Sequence, residues 1–100
     1  KWEGYLSITQ KGMYKFATKS DDGSFIYIDG NMVVDNGDLH AMRYISGVVF
    51  LDEGFHHVRV EYFDAGGGAI MEFLWTPLGG SETIVPANVL FHQKEDISLK

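Results

Sequence analysis

The dominant pattern along the chain is a short alternation of apolar and polar residues, and no stretch longer than a turn has helical spacing. Val58, Val60 and Tyr62 alternate with polar neighbours, which predicts a strand with these three side chains facing inward. Residues 25–28 are apolar at every position, which predicts a central strand covered on both faces. Further strands are predicted near residues 2–8, 13–19, 32–34, 44–51, 69–75, 83–85 and 89–91. Strands at such short intervals predict an all-β domain, either an antiparallel β-sandwich or a Greek-key barrel.

Glycine residues punctuate this pattern where the chain is expected to turn. Asp29 and Gly30 directly follow one predicted strand and precede the next. An Asp-Gly pair supplies the positive φ angles of a type I′ turn, so a tight hairpin is predicted there. Gly47 falls within the strand predicted over residues 44–51 and is expected to interrupt it.

Composition narrows the possible functions. The 100 residues are enough for one domain with a single two-layer core. The net charge of −6 disfavours nucleic acid as a partner, whereas acidic loops suit a hard cation or simple solubility. The absence of cysteine excludes disulfides, cysteine-ligated zinc and thiol catalysis. The longest apolar runs, such as residues 48–51, are too short to span a membrane.

The candidate chemistry lies at Asp21 and Asp22, just before the predicted central strand. Two adjacent carboxylates at a turn repel each other unless a cation neutralises them, and calcium prefers oxygen ligands of this kind. The same residues are also typical of an ordinary surface turn. A glycosidase pair is not expected, because its two carboxyl groups stand about 5–10 Å apart on opposite sides of one bond. Neighbours in sequence cannot be arranged in that way, so no catalytic residue is predicted.

The histidines and tryptophans favour structural roles. His56 and His57 are adjacent in a predicted strand, so their side chains point to opposite faces and cannot easily share one metal ion. His40 is expected to pack or hydrogen-bond within its own loop. Trp75 lies in the inward register of its strand, which favours core packing over stacking on a sugar.

Several motifs together resemble one family of domains. The run YKFATKSDDGSFIYIDG over residues 14–30 is followed by VDNG over residues 34–37, and WEGYL precedes both at residues 2–6. With the segments at 54–63 and 68–75, they resemble the protective-antigen-type (PA-fourteen) domain, a lectin-like β-sandwich, in the order that the family has them. Family members normally begin with further strands before the segment that starts at Trp2, so we expect an N-terminally incomplete domain over residues 1–94 and a tail or linker over residues 95–100.

The resemblance implies a function and a site. Members occur in bacterial toxins, glycoside hydrolases, surface adhesins and yeast flocculins, so we expect a non-catalytic, extracellular or cell-surface accessory module that contacts glycans or neighbouring domains. In sugar-binding members, two consecutive aspartates bind calcium, and the calcium binds sugar hydroxyls. Carried over, this implicates Asp21 and Asp22, with a second loop supplying Asp64 and the backbone carbonyls of Gly66 and Gly68. That loop lacks the asparagine of the adhesins, so a purely architectural interaction domain is the alternative.

Overall fold

The prediction of an all-β chain is confirmed. The computed structural model describes residues 1–21, 23–37, 43–62 and 70–91. Within these ranges the strands are β1 (Trp2–Ile8), β2 (Gly12–Asp21), β3 (Ser24–Ile28), β4 (Asn31–Asn36), β5 (Arg43–Leu51), β6 (Gly54–Tyr62), β7 (Ile70–Thr76), β8 (Thr83–Ile84) and β9 (Leu90–Phe91). One short 3-10 turn, Ala87–Val89, precedes β9.

The strands form two antiparallel sheets. The first sheet has the order β4-β3-β6-β1-β9, and the second sheet has the order β5-β2-β7-β8. Most strands that follow each other in the chain, such as β1 and β2 or β4 and β5, lie in different sheets, whereas β3 and β4, and β7 and β8, pair within one sheet. The chain therefore crosses repeatedly between the layers, and the inward faces of both sheets supply one shared core.

The core consists of the inward-facing members of the alternating pattern. Val58 and Val60 are buried as predicted, and Trp75 is buried against the rings of Tyr14 and Phe16. Tyr62 is 47% exposed, so the prediction that it faces into the core is wrong. It is the last residue of β6, where the strand leaves the sandwich. The clustered buried side chains are Leu6, Ile8, Tyr14, Phe16, Ile26, Ile28, Val34, Leu51, Val58, Val60, Trp75 and Val85.

Strand β3 is central in the first sheet, between β4 and β6, as its apolar sequence predicts. Ile26 and Ile28 are buried in the core, whereas Phe25 and Tyr27 are half-buried on the outer face. Neighbouring side chains cover this outer face: the Arg59 guanidinium lies 4.1 Å from the centroid of the Tyr27 ring, and Phe25 stacks beside Tyr27. The Tyr27 ring is therefore covered by an arginine side chain, through a cation–π contact, and not by another sheet or helix among the described residues.

The two glycine predictions have different outcomes. Asp29 and Gly30 have φ angles of 52° and 83°, which confirms the tight turn joining β3 to β4. Gly47 does not interrupt β5, which pairs with β2 along its whole length. A Cβ atom at Gly47 would lie only 2.0 Å from the carbonyl oxygen of Val33 in β4. Glycine is present there because the backbones of β4 and β5 approach each other closely, where the edges of the two sheets meet.

Six of the eight connections between the described strands fall into two sets at opposite ends of the sandwich. Residues 22–23, 37–42 and 63–69 join β2 to β3, β4 to β5 and β6 to β7 at one end of the sandwich, which we call the acidic end. Residues 9–11, 29–30 and 52–53 make short turns at the opposite end, which we call the hairpin end.

Candidate functional site

Asp21 is the last residue of β2 and stands at the acidic end of the sandwich. Its side chain is half-buried, and its backbone pairs with Ile70, the first residue of β7. The next strand begins at Ser24, whose backbone pairs with Tyr62, the last residue of β6. Asp22 falls outside the described residues, so its role as a ligand stays a prediction.

The register of these pairs relates the acidic turn to the predicted second loop. Residues 63–69 leave β6 beside Ser24 and return to β7 beside Asp21. The chain segments on either side of the Asp21–Asp22 turn are therefore hydrogen-bonded neighbours of the segments on either side of the second loop. Asp64, Gly66 and Gly68 belong to that loop and fall outside the described residues, so their part in a metal site also stays a prediction.

Beneath the acidic turn, the core is polar instead of apolar. Thr18, Ser20, Ser24 and Asn36 are each 0–1% exposed. The Ser20 and Ser24 hydroxyl oxygens are 2.7 Å apart, and Ser24 Oγ donates to Thr18 Oγ1 at 2.8 Å. Asn36 Nδ2 lies 3.2 Å from Thr18 Oγ1 and 3.3 Å from Ser20 Oγ. We call these four side chains the buried polar network.

Arg43 closes the buried polar network on its solvent side. Asn36 Nδ2 donates to the Arg43 carbonyl oxygen at 2.8 Å, and Arg43 Nε donates to Asn36 Oδ1 at 2.8 Å. Arg43 Nη2 donates to the carbonyl oxygen of Gly37 at 2.6 Å. These bonds join the end of β4 to the start of β5, so all three connections at the acidic end begin and finish beside the network.

Sequence reasoning missed the buried polar network, although a signal for it is present. Tyr14, Phe16, Thr18 and Ser20 occupy every second position of β2 and share its inward face. A switch from aromatic to hydroxyl side chains along that face indicates a polar region of the core near the end of the strand. Asn36 could not be connected to it from sequence, because the pairing of β4 with β3 sets that contact.

The acidic residues fit calcium by their chemistry. Carboxylates and backbone carbonyls are the oxygen ligands that calcium prefers, and Asp21, Asp22, Asp64 and the two glycine carbonyls would supply them. In the part of the chain that the structure describes, no group of three or more acidic, histidine or cysteine side chains could hold a metal ion. A site with three such side chains would need at least one ligand from outside the described ranges, where Asp22 and Asp64 lie.

The two adjacent histidines take different partners at the hairpin end. His56 Nδ1 is 2.6 Å from Asp29 Oδ2, and His56 Nε2 is 2.8 Å from the carbonyl oxygen of Asp52. His57 Nε2 is 2.9 Å from Glu3 Oε2. The two imidazoles therefore have different hydrogen-bond partners, as expected for adjacent strand residues whose side chains point to opposite faces. His40 lies outside the described residues, so its place within its loop stays a prediction.

Asp29 does more than the turn chemistry predicted from its sequence position. Besides its left-handed backbone, it uses both carboxylate oxygens: Oδ1 accepts a hydrogen bond from the His57 amide at 3.1 Å, and Oδ2 pairs with His56. The side chain thereby joins the β3–β4 turn to the start of β6. Residues that are 27 positions apart in sequence make these contacts, so local patterns could not reveal them.

The fold and its sequence motifs define the class: a two-sheet antiparallel sandwich with an acidic turn ahead of a central strand. The family model described as the PA14 domain matches residues 1–88. The chain belongs to this family, the protective-antigen-type family that its motifs resemble. Among the described residues, no helix is long and apolar enough to cross a membrane.

Three relatives illustrate the contexts of the fold. Anti-sigma-I factor RsgI3 of Acetivibrio thermocellus is 23% identical over 92 residues, which are 91% of this chain and 14% of that protein. The PA14 sugar-binding domain of an RTX adhesin is 28% identical with a TM-score of 0.79, and the match covers 90% of this chain and 51% of that one. The PA14 domain of MpAFP antifreeze protein has a TM-score of 0.81 at 21% identity, over 91% and 50% of the two chains, and shows likeness of fold alone.

Proposed function

We propose that this domain is a non-catalytic, calcium-dependent carbohydrate-binding module of a larger secreted or cell-surface protein. Calcium is held at the acidic end by Asp21 and Asp22, with Asp64 and the carbonyls of Gly66 and Gly68 completing its ligands. The bound ion presents open coordination positions to sugar hydroxyls. The protein residues supply carboxylate and carbonyl oxygens and a rigid support for them.

One observation carries this proposal: the pairing of Asp21 with Ile70 and of Ser24 with Tyr62. This register brings the bases of the acidic turn and of the second loop to adjacent strand ends. Calcium needs six to eight oxygen ligands, which one short turn cannot supply alone. Two neighbouring loops on a rigid sandwich meet that need. The similarity to a sugar-binding PA14 domain of an adhesin supports the choice of ligand class.

Calorimetric titration of the domain with calcium tests the site. We expect binding heat for the wild-type domain and none for Asp22→Ala, because the substitution removes a carboxylate ligand. Asp52→Ala is the matched control: it removes the same group from an exposed residue at the hairpin end and should leave the affinity unchanged. Equal affinity in the Asp22→Ala variant contradicts the proposed ligands.

A glycan array separates calcium binding from sugar binding. We expect glycan signals in calcium that disappear in chelator and in the Asp22→Ala variant. Calcium binding in the calorimeter without any glycan signal would support the metal site and contradict the proposed carbohydrate binding. A signal that persists in chelator would place sugar binding elsewhere on the domain.

The second candidate is a purely architectural domain that packs against neighbours in a larger assembly. The observation that favours it is an apolar region on the outer face of the second sheet, where Met13, Val48 and Phe50 are 54–65% exposed. The chain also spans only 14% of its curated relative, so in that protein other segments adjoin the module. Absence of calcium heat, with no loss of stability in chelator, would favour this candidate.

A further inference from the structure

We propose that the buried polar network, formed by Thr18, Ser20, Ser24 and Asn36, positions the Asp21–Asp22 turn for metal binding. These four side chains are positioning residues, because they hold the chain that carries the ligands. The inference rests on the calcium site proposed above, and it deepens that proposal by naming what fixes the ligands in place.

The first argument is the position of the two serines. Ser20 directly precedes Asp21, and Ser24 directly follows Gly23. Their hydroxyl oxygens lie 2.7 Å apart and are buried, so one hydrogen bond closes the base of the three-residue segment 21–23. Backbone pairing alone joins Ser20 to Met71 and Ser24 to Tyr62, in different sheets. The side-chain bond is therefore a direct link between the two ends of the turn.

The second argument is that the buried polar network connects the two sheets. Thr18 and Ser20 belong to the second sheet, whereas Ser24 and Asn36 belong to the first. Hydrogen bonds are directional, and apolar contacts are much less so. Bonds across the interface therefore fix the relative position of β2 and β3 at the point where the acidic turn joins them.

The third argument is the restriction of polar residues to this end of the core. Along the inward face of β3, Ser24 is followed by Ile26 and Ile28, and along β2 Thr18 and Ser20 follow Phe16. Replacing a buried polar group set by apolar side chains of similar size is often neutral or stabilising. Stability alone therefore does not explain a polar core segment, and its location beneath the acidic turn indicates a role there.

Asn36 extends this constraint to the connection between β4 and β5. Its amide nitrogen contacts the Thr18 and Ser20 hydroxyls of β2 and also donates to the carbonyl oxygen of Arg43, the first residue of β5. Arg43 in turn binds Asn36 Oδ1 and the carbonyl oxygen of Gly37. The bases of the β2–β3 and β4–β5 connections are therefore held by one amide side chain.

Two substitutions test the inference by calcium calorimetry on the folded domain. Ser24→Ala removes the hydroxyl that closes the turn, and Thr18→Val removes a hydroxyl acceptor while retaining the side-chain shape. We expect each to weaken calcium affinity about 10- to 100-fold, the usual effect of removing groups that orient metal ligands. Thr18→Ser keeps the hydroxyl and should keep the affinity within about threefold of the wild-type value.

Ile28→Val is the control for loss of stability. Ile28 is buried at the other end of the same strand, so the substitution loosens the core of β3 far from the acidic turn. We expect a lower melting temperature with unchanged calcium affinity. If Ile28→Val weakens calcium binding as strongly as Ser24→Ala, general destabilisation explains both results and the positioning role is refuted.

Amide hydrogen exchange in chelator gives a readout without calcium. We expect exchange at Asp21 and Gly23 to accelerate in Ser24→Ala and Thr18→Val, and to stay at wild-type rates in Thr18→Ser. Unchanged rates in the first two variants overturn the positioning role even if calcium binds. If the Ser24→Ala and Thr18→Val variants exchange faster but the wild-type domain gives no calcium heat, the positioning role is retained and the calcium site is refuted.

Discussion

At the hairpin end, a single carboxylate connects two turns that are distant in sequence. The Asp29 carboxylate accepts a hydrogen bond from the backbone amide of His57 and pairs with the imidazole of His56, whose side chain is only 14% exposed. Burial by itself lowers the pKa of His56, but hydrogen bonds to the Asp52 carbonyl and the Asp29 carboxylate outweigh it, so the pKa is raised. Protonated His56 is thus bound more favourably in the folded than in the unfolded chain.

The raised pKa predicts how stability depends on pH. Protonated His56 contributes to the free energy of unfolding. This contribution is fully present below the unfolded-state pKa of about 6.5 and is lost as pH rises through the higher folded-state pKa. We therefore expect the urea midpoint of the wild-type domain to fall between about pH 6 and pH 8. Asp29→Asn keeps a residue that tolerates the left-handed turn and removes the charge, so its midpoint should vary less over this range. Identical pH dependence in both proteins would contradict this role of Asp29.

Single residues were predictable where their role is local. The positive φ angles of Asp29 and Gly30 followed from the turn type, and the burial of Trp75 followed from its register. The partners of Asp29 and Asn36 did not follow, because they come from other strands whose pairing decides the contacts. For the acidic site, the sequence indicated the residue types, and the structure adds the adjacent strand ends and the buried polar network beneath them.

At the scale of strands, the close approach of β4 and β5 is the feature that sequence reasoning misjudged. A glycine within an apolar run was expected to break the strand, whereas Gly47 preserves it by leaving space for the Val33 carbonyl. A glycine that interrupts a strand and a glycine that lets two backbones approach closely look the same in the sequence, since both positions require a residue without a side chain. Only the position of β4, which belongs to the other sheet, distinguishes them.

This approach predicts a large cost for a very small substitution. Gly47→Ala places a methyl group 2.0 Å from the Val33 carbonyl oxygen, so β4 or β5 must shift. We expect the free energy of unfolding to fall by about 1–3 kcal/mol, measured by urea denaturation. Ser46→Ala, at the exposed neighbouring position of the same strand, should change it by less than about 0.5 kcal/mol. Equal effects at both positions would refute the steric explanation.

On the scale of the whole molecule, the two outer faces differ in character. Side-chain pairs cover the first sheet: His57 with Glu3, and Arg59 with both Glu61 and the Tyr27 ring. The second sheet also has such a group, Lys15 with Glu82 and the Tyr44 ring, but beside it Met13 and Phe50 are exposed and paired across β2 and β5, with Val48 two residues before Phe50. Strand β5 forms the edge of that sheet and carries no charged residue from Tyr44 to Leu51. An uncharged edge strand with exposed apolar side chains favours association with another surface.

This asymmetry predicts that the isolated domain self-associates through the second sheet. Val48→Lys should reduce association in sedimentation velocity experiments while changing stability by less than about 1 kcal/mol, because the side chain is already 65% exposed. Asn31→Lys adds the same charge at an exposed site on β4 in the first sheet and serves as the control. A wild-type domain that stays monomeric at high concentration would contradict the prediction.

The separation of the connections into two ends has a consequence for protein engineering. At the hairpin end the connections at residues 9–11, 29–30 and 52–53 are short, whereas the acidic end joins strands of different sheets through longer segments at residues 37–42 and 63–69. Because those two segments join strands that do not pair with each other, they do not set strand register, and we expect changes of sequence and length there to have little effect on folding. The sandwich therefore offers a cysteine-free scaffold for libraries of new binders, selected from variation on one rim alone.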